Sequence, residues 1–307
     1  MKVAVVGAGG IGGYLAVRLA AAGNPVSVVA RGAHLDAIRA RGLTLEENSG
    51  KVTTVQVPAS ADPGDLGPAD LVVFGVKGHQ LDDAIEMAQP LMAGGGVALP
   101  ILNGVTATPR LEAVFGEGRA LIGTALISAE IVRPGVIGRL DSETGLVLGD
   151  RDGRQDTEPA ASVRAMLLAA GAPAPESDDV RVDLWRKMIA WNGTGTLTAA
   201  ARCHVGDVQA SPELRRLYEA LVREAFAVAV AAGAPVPADT PDKVLARFEG
   251  MSGAIRSSMA ADLEAGRALE VDHMTGAVAR MGRELGVPVP ATEAMFAILA
   301  PHRNGRG

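Results

Sequence analysis

The chain has 307 residues, 48% of them hydrophobic and 21% charged, which suffices for two ordinary domains with sizeable cores. A formal net charge of −6 with no long basic run argues against nucleic acid as a partner, and no apolar stretch approaches the roughly 18 residues of a membrane span. The single cysteine, Cys203, excludes an internal disulfide and a multi-cysteine metal site.

Residues 2–6 (KVAVV) predict a buried parallel strand. A strand this early leaves no room for a signal peptide, so a cytoplasmic setting is expected. The strand runs into Gly7-Ala8-Gly9-Gly10-Ile11-Gly12, a G-x-G-x-x-G loop, and then into the helical pattern IGGYLAVRLAAAG. Strand, loop and helix in that order point to a dinucleotide site. Gly7 allows the tight turn, Gly9 lets backbone approach a pyrophosphate, and Gly12 lets helix and strand pack closely. Gly10 and Ile11 complete the loop, and the positive end of the helix faces the phosphates.

Residues 25–30 (PVSVVA) predict the second parallel strand, after a helix ending at Gly23. NAD-preferring sites carry an Asp or Glu at its C-terminal end, which accepts the ribose 2′-OH. Here Arg31 stands there, followed by Gly32, Ala33 and His34. A carboxylate would repel a 2′-phosphate, whereas arginine pairs with it bidentately. The expected cofactor is therefore NADP(H).

A short helix is predicted over 33–41, then an antiparallel hairpin of 43–47 and 51–59 around Asn48-Ser49-Gly50. Residues 71–76 (LVVFGV) predict a strand ending at Lys77, 80–92 a helix, and 97–102 a strand ending at Asn103-Gly104. The alternation is that of a doubly wound parallel sheet, whose ligands bind at the C-terminal strand edge. From 121 to 149 the turns at Arg133-Pro134-Gly135 and over 141–145 predict two or three antiparallel strands. A helix follows near 159–170, with a domain boundary near Ser177. Beyond it helices are predicted over 178–201, 211–232, 241–249, 254–265, 270–286 and 291–300. His79 and His273 lack partners at metal-ligand spacing, so no metal is expected.

Together these features resemble the ketopantoate reductase family (2-dehydropantoate 2-reductases) over nearly the whole chain. The front of the likeness lies in VAVVGAGGIGGYLAVRLAAAG, ARGAHLDAIRARGL (30–43), VKGHQ (76–80), LNGV (102–105) and SAEIVRPGVIG (128–138). The more specific part lies in DLWRKM (183–188) and SSMAADLEAGRALEVD (257–272). The resemblance implies an α/β fold: a Rossmann-type, doubly wound parallel sheet in an NADP-binding domain (1–177), then an all-α substrate domain (178–307). It also implies reduction of ketopantoate to pantoate by NADPH. Gly7, Gly9 and Gly12 would meet the pyrophosphate and Arg31 the 2′-phosphate. Lys77 and Asn103 would lie along the cofactor, Asn103 near the nicotinamide and substrate. Lys187 matches the catalytic lysine, Glu270 the glutamate that pairs with it, and Ser258 the serine that binds the substrate carboxylate.

That chemistry suits these residue types. Hydride transfer to a ketone builds negative charge on oxygen, which a lysine ammonium stabilises and protonates. Asp262, Glu264 and Asp272 are read as surface or helix-terminus charges. The family usually carries Asn four and eight residues after the lysine. Those positions hold Trp191 and Gly195, and Ile255 stands where another Asn is frequent. Asn192 fills the first role only if the helix slips by one residue, about 100°. These departures predict a more apolar pocket and a competing reading, a relative that reduces a more apolar 2-keto acid or ketone. A third reading is a non-catalytic NADPH-binding sensor. The apolar C-terminal helices permit a homodimer as readily as a core.

Overall fold

The computed structural model describes residues 1–139 and 145–306. Two compact units divide the chain. The first comprises Met1–Leu102 with Ala107–Val180, and the second Asn103–Thr106 with Arg181–Gly307.

The first unit runs β1 (Val3–Val6), α1 (Gly10–Ala21), β2 (Val26–Val29), α2 (Gly32–Arg41), β3 (Leu43–Glu46), β4 (Val52–Val55) and β5 (Ala59–Ser60). It continues through β6 (Leu71–Phe74), α3 (Leu81–Met87), α4 (Gln89–Met92), β7 (Val97–Pro100), α5 (Ala107–Phe115) and β8 (Ile122–Ala125). Strands β9 (Ala129–Arg133), β10 (Val136–Arg139) and β11 (Leu146–Gly149) and helix α6 (Ala160–Ala169) complete it. Five strands form a parallel sheet in the order β5-β2-β1-β6-β7, with Val3 opposite both Val26 and Leu71. Every residue of β1, β2, β6 and β7 is buried. Val3 and Val5 join a core with Leu15, Leu19 and Val73, whereas Ala4 and Val6 join another with Phe74, Leu81 and Leu91. A sheet covered on both faces favours apolar residues at nearly every position, and this is why the strands read as hydrophobic runs, with Ser27 of β2 as the polar exception.

Two features of this unit depart from the sequence reading. The expected second hairpin arm, 51–59, breaks. β4 pairs with β3, but β5 crosses to the edge of the parallel sheet beside β2. Pro58 lies in the break; it has no N–H to donate, and its carbonyl accepts from the Val28 N–H at 2.9 Å. The 121–149 region yields four strands, divided between two sheets, rather than two or three. β9 and β10 extend the hairpin into a sheet ordered β4-β3-β10-β9, while β8 pairs with β11. The turn at Arg133-Pro134-Gly135 forms, with Gly135 at φ +82°. The turn expected over 141–145 lies, except for Gly145, outside the described residues.

The second unit is helical: α7 (Val180–Ala200, whose first residue groups with the first unit), α8 (Val205–Ala210), α9 (Pro212–Ala231), α10 (Thr240–Glu249), α11 (Ser258–Glu264), α12 (Thr275–Leu285) and α13 (Pro290–Leu299). Its core gathers Trp185, Met188, Ile189, Tyr218, Phe248 and Val278. The helices expected at 254–265 and 270–286 begin later, at Ser258 and Thr275, so Glu270 sits in the turn that precedes α12 rather than on a helix. The segment Asn103–Thr106, which comes long before α7 in sequence, groups with this unit. Gly104 takes φ +97°, and a Cβ there would stand 2.9 Å from the His273 carbonyl oxygen. Among the described residues no helix is long and apolar enough to cross a membrane.

Candidate active site

In the first unit the glycine loop is built by close packing. Gly7 lies at φ +93°, where a Cβ would also meet Val76 Cγ1 at 2.7 Å. A Cβ at Gly12 would run into the Gly7 carbonyl, and one at Gly10 into the Ala129 carbonyl of β9. Gly9 differs: the nearest atom to a Cβ there is 3.9 Å away. Packing within the protein therefore accounts for Gly7, Gly10 and Gly12 but leaves space above Gly9. Gly9 is the N-cap of α1 and supplies no side-chain cap, so the first-turn N–H groups suit an external anion. Ile11 packs against the core behind the loop. The N–H groups of Gly7 and Ala8 both donate to the Val29 carbonyl, pinning the loop to β2.

Arg31 is exposed at the N-cap of α2, and its guanidinium reaches Met87 Sδ at 2.7 Å. Lys77 begins a short 3-10 turn three residues past β6, with its N–H donating to Gln80 Oε1. The sequence reading assigned no role to His34. Its Nε2–H donates to the Ala8 carbonyl at 2.8 Å, and its Nδ1 accepts from the Gly135 N–H at 3.0 Å. One imidazole thus ties the glycine loop to the β9–β10 turn.

In the second unit a pocket is lined by Asn103, Trp191, Gly195, Ser257, Ser258, Met259, Asp262, Glu270 and Met274. Asn103 Nδ2 donates to Glu270 Oε2 at 3.2 Å. Lys187 on α7 lies within electrostatic reach of Glu270. Burial pulls its ammonium down to about 8, and the Glu270 carboxylate works in the opposite direction. Ser258 opens α11, while its neighbour Ser257 is the structural member of the pair. Ser257 Oγ accepts from the Ala260 N–H and from the Thr198 hydroxyl, and donates to the Gly195 carbonyl.

Three sequence expectations change here. Asn192 does not reach the pocket. It is fully buried on an adjacent face of α7, where Nδ2 donates to the Leu221 carbonyl at 2.9 Å and to Thr292 Oγ1 at 3.1 Å. The helix does not slip, and Trp191 and Gly195 keep the pocket-facing positions. Ile255 is 38% exposed and does not line the pocket. Asp262 is not a surface charge. It is 7% exposed, lines the pocket and accepts from Arg267 Nε at 2.6 Å. Its place four residues after Ser258 was the available signal, because i and i+4 share a helix face. Met259 and Met274 were not singled out, since a methionine in a helix reads as core. No group of three or more His, Cys, Asp or Glu residues suited to a metal occurs among the described residues.

Comparison with known proteins identifies the family and the fold. The family description "Ketopantoate reductase PanE/ApbA" matches residues 3–153, and its C-terminal counterpart matches 179–303. A 2-dehydropantoate 2-reductase of Mesorhizobium japonicum is 32% identical over 97% of this chain and 97% of its own. The crystal structure of a PanE/ApbA family ketopantoate reductase from Ralstonia eutropha superposes with a TM-score of 0.89 at 32% identity, covering 99% and 98% of the two chains. A D-mandelate dehydrogenase solved with NADH and anilino(oxo)acetate shares the fold, with a TM-score of 0.84 at 22% identity.

Proposed function

The chain belongs to the ketopantoate reductase family and is an oxidoreductase, and from that premise we propose that it reduces a 2-keto acid to the 2-hydroxy acid with NADPH, Lys187 delivering the proton. The observation that carries the reading is the pocket that gathers Glu270, Asn103 and Ser258, with Lys187 within electrostatic reach of Glu270.

The cofactor site is supported by fit. The space above Gly9 and the uncapped start of α1 suit a pyrophosphate, and Arg31 at the end of β2 suits a 2′-phosphate. When bound, a nicotinamide cofactor supplies the hydride. The protein's own residues do the rest. Lys187, cationic below about pH 8, holds the ketone oxygen and gives it a proton as negative charge develops there. Glu270 keeps that ammonium charged and oriented, and Asn103 fixes the Glu270 carboxylate through its hydrogen bond. Ser258 offers its hydroxyl to the substrate carboxylate.

Relatives along the full chain are named for 2-dehydropantoate, which makes ketopantoate the reference substrate. The test is NADPH oxidation with ketopantoate and a panel of 2-keto acids, in the wild type and in Lys187→Ala. Loss of a general acid lowers turnover by about 10²–10⁴-fold, and NADPH binding should persist in the variant. Undiminished turnover in Lys187→Ala would remove the lysine from the chemistry. NADPH binding without turnover of any 2-keto acid would instead favour the non-catalytic sensor.

A further inference from the structure

We infer that Trp191 and Gly195 form the seat for the substrate side chain, and that this seat selects an aryl 2-keto acid over one carrying a hydroxyl; the inference rests on the 2-keto acid reduction proposed above. Trp191 and Gly195 are one turn apart on α7 and both line the pocket. A Cβ at Gly195 would stand 3.1 Å from Trp191 Cε3 and 3.8 Å from Cζ3. The six-membered ring of the indole therefore lies along the helix over Gly195, and the missing side chain is what gives it room. Met259 and Met274, each 6% exposed, line the same pocket.

Several polar groups around this seat are already engaged within the protein. The Ser257 hydroxyl is engaged by Thr198, Ala260 and Gly195. Asp262 accepts from Arg267, and Asn103 donates to Glu270. Ser258 and Lys187 are required by the carboxylate and the ketone. A hydroxyl on a substrate side chain that rests against the indole and the two thioethers gives up water for surfaces that replace it poorly. An aromatic ring gains instead. It stacks on the indole face, and methionine sulfur packs favourably against ring edges.

The probes are phenylglyoxylate and ketopantoate. In the wild type, kcat/KM for phenylglyoxylate should exceed that for ketopantoate by about tenfold or more. Trp191→Ala should shift that ratio toward ketopantoate by about tenfold. Gly195→Ala should do the same by displacing the indole without deleting it, and Trp191→Phe should keep the aryl preference. A wild type that favours ketopantoate, with a ratio unmoved in Trp191→Ala and Gly195→Ala, would overturn the seat while leaving reduction intact. Binding is read separately in a Trp185→Phe protein, which retains Trp191 as its single tryptophan. Saturable quenching by phenylglyoxylate supports the seat even where turnover is absent, in which case the reduction reading alone fails. Turnover without quenching overturns the seat.

Discussion

Two opposing influences meet on the Lys187 ammonium. Burial lowers its pKa to about 8, and the Glu270 carboxylate raises it. A general acid must be protonated to act, so kcat/KM for reduction should be flat at lower pH and fall as pH rises through about 8. Removing the charge at Glu270 takes away the raising influence. Glu270→Gln should therefore move the falling limb to lower pH, as well as slow the reaction. A pH profile of both proteins checks the sign, and an unmoved limb in Glu270→Gln would separate the carboxylate from the lysine. The lysine itself was legible only through its motif. On α7 it stands between Trp185 and Met188, where a long side chain commonly lays its stem along an apolar face.

Elements that obey one strong period were readable, and those fixed by distant partners were not. The parallel strands were legible because burial on both sheet faces favours nearly unbroken apolar runs. The long helices α7 and α9 were legible within a residue or two; α9 is opened by the cap Ser211, whose Oγ accepts from the Leu214 N–H. β5 was not, because its pairing with β2 follows from the chain path past Pro58 rather than from its own two residues. The His34 bridge was equally hidden: its two partners, Ala8 and Gly135, come from separate stretches of sequence. That bridge makes α2 a brace for the glycine loop. His34→Ala should lose on the order of 1–2 kcal/mol of stability and weaken NADPH binding, read by denaturant titration and calorimetry. Burial lowers the His34 pKa from its ordinary 6.5. The unfolded chain thus binds the proton more readily than the folded one. Stability from this group is complete above about 6.5 and declines as pH falls through that value. The gap between wild type and His34→Ala should accordingly narrow in acid, and a gap independent of pH would deny the imidazole this role.

At the scale of the molecule, the division into an α/β unit and a helical unit followed from the switch between strand–helix alternation and uninterrupted helical periods. The sequence boundary near Ser177 lies close to the parting between Val180 and Arg181. What local pattern could not supply is the allegiance of Asn103–Thr106. Asn103 meets Glu270 across 167 residues of sequence, and no four-residue segment advertises such a partner. The pocket's character was legible in part: Trp191 and Gly195 marked it as apolar, whereas Asp262, Met259 and Met274 emerged only when α11 and the turn before α12 were folded. An acidic chain of net charge −6 that takes up a polyanionic cofactor must do so with local donors, because its overall field opposes the approach. Under the proposed cofactor reading, Arg31 is the side chain whose charge would distinguish a 2′-phosphate from a 2′-hydroxyl. Ligand that binds only the folded protein stabilises it by about 2.7 kcal/mol at one hundred times its Kd, on the order of a 5 °C rise in melting temperature for a unit of this size. NADPH should give that rise at concentrations where NADH gives less. Arg31→Ala should weaken NADPH by about 10- to 100-fold, the loss of a charge-assisted bidentate pair, and leave NADH nearly unaffected. Equal shifts from the two cofactors in the wild type, or equal weakening of both in Arg31→Ala, would mean that the ribose is read elsewhere and that Arg31 serves only as the N-cap of α2.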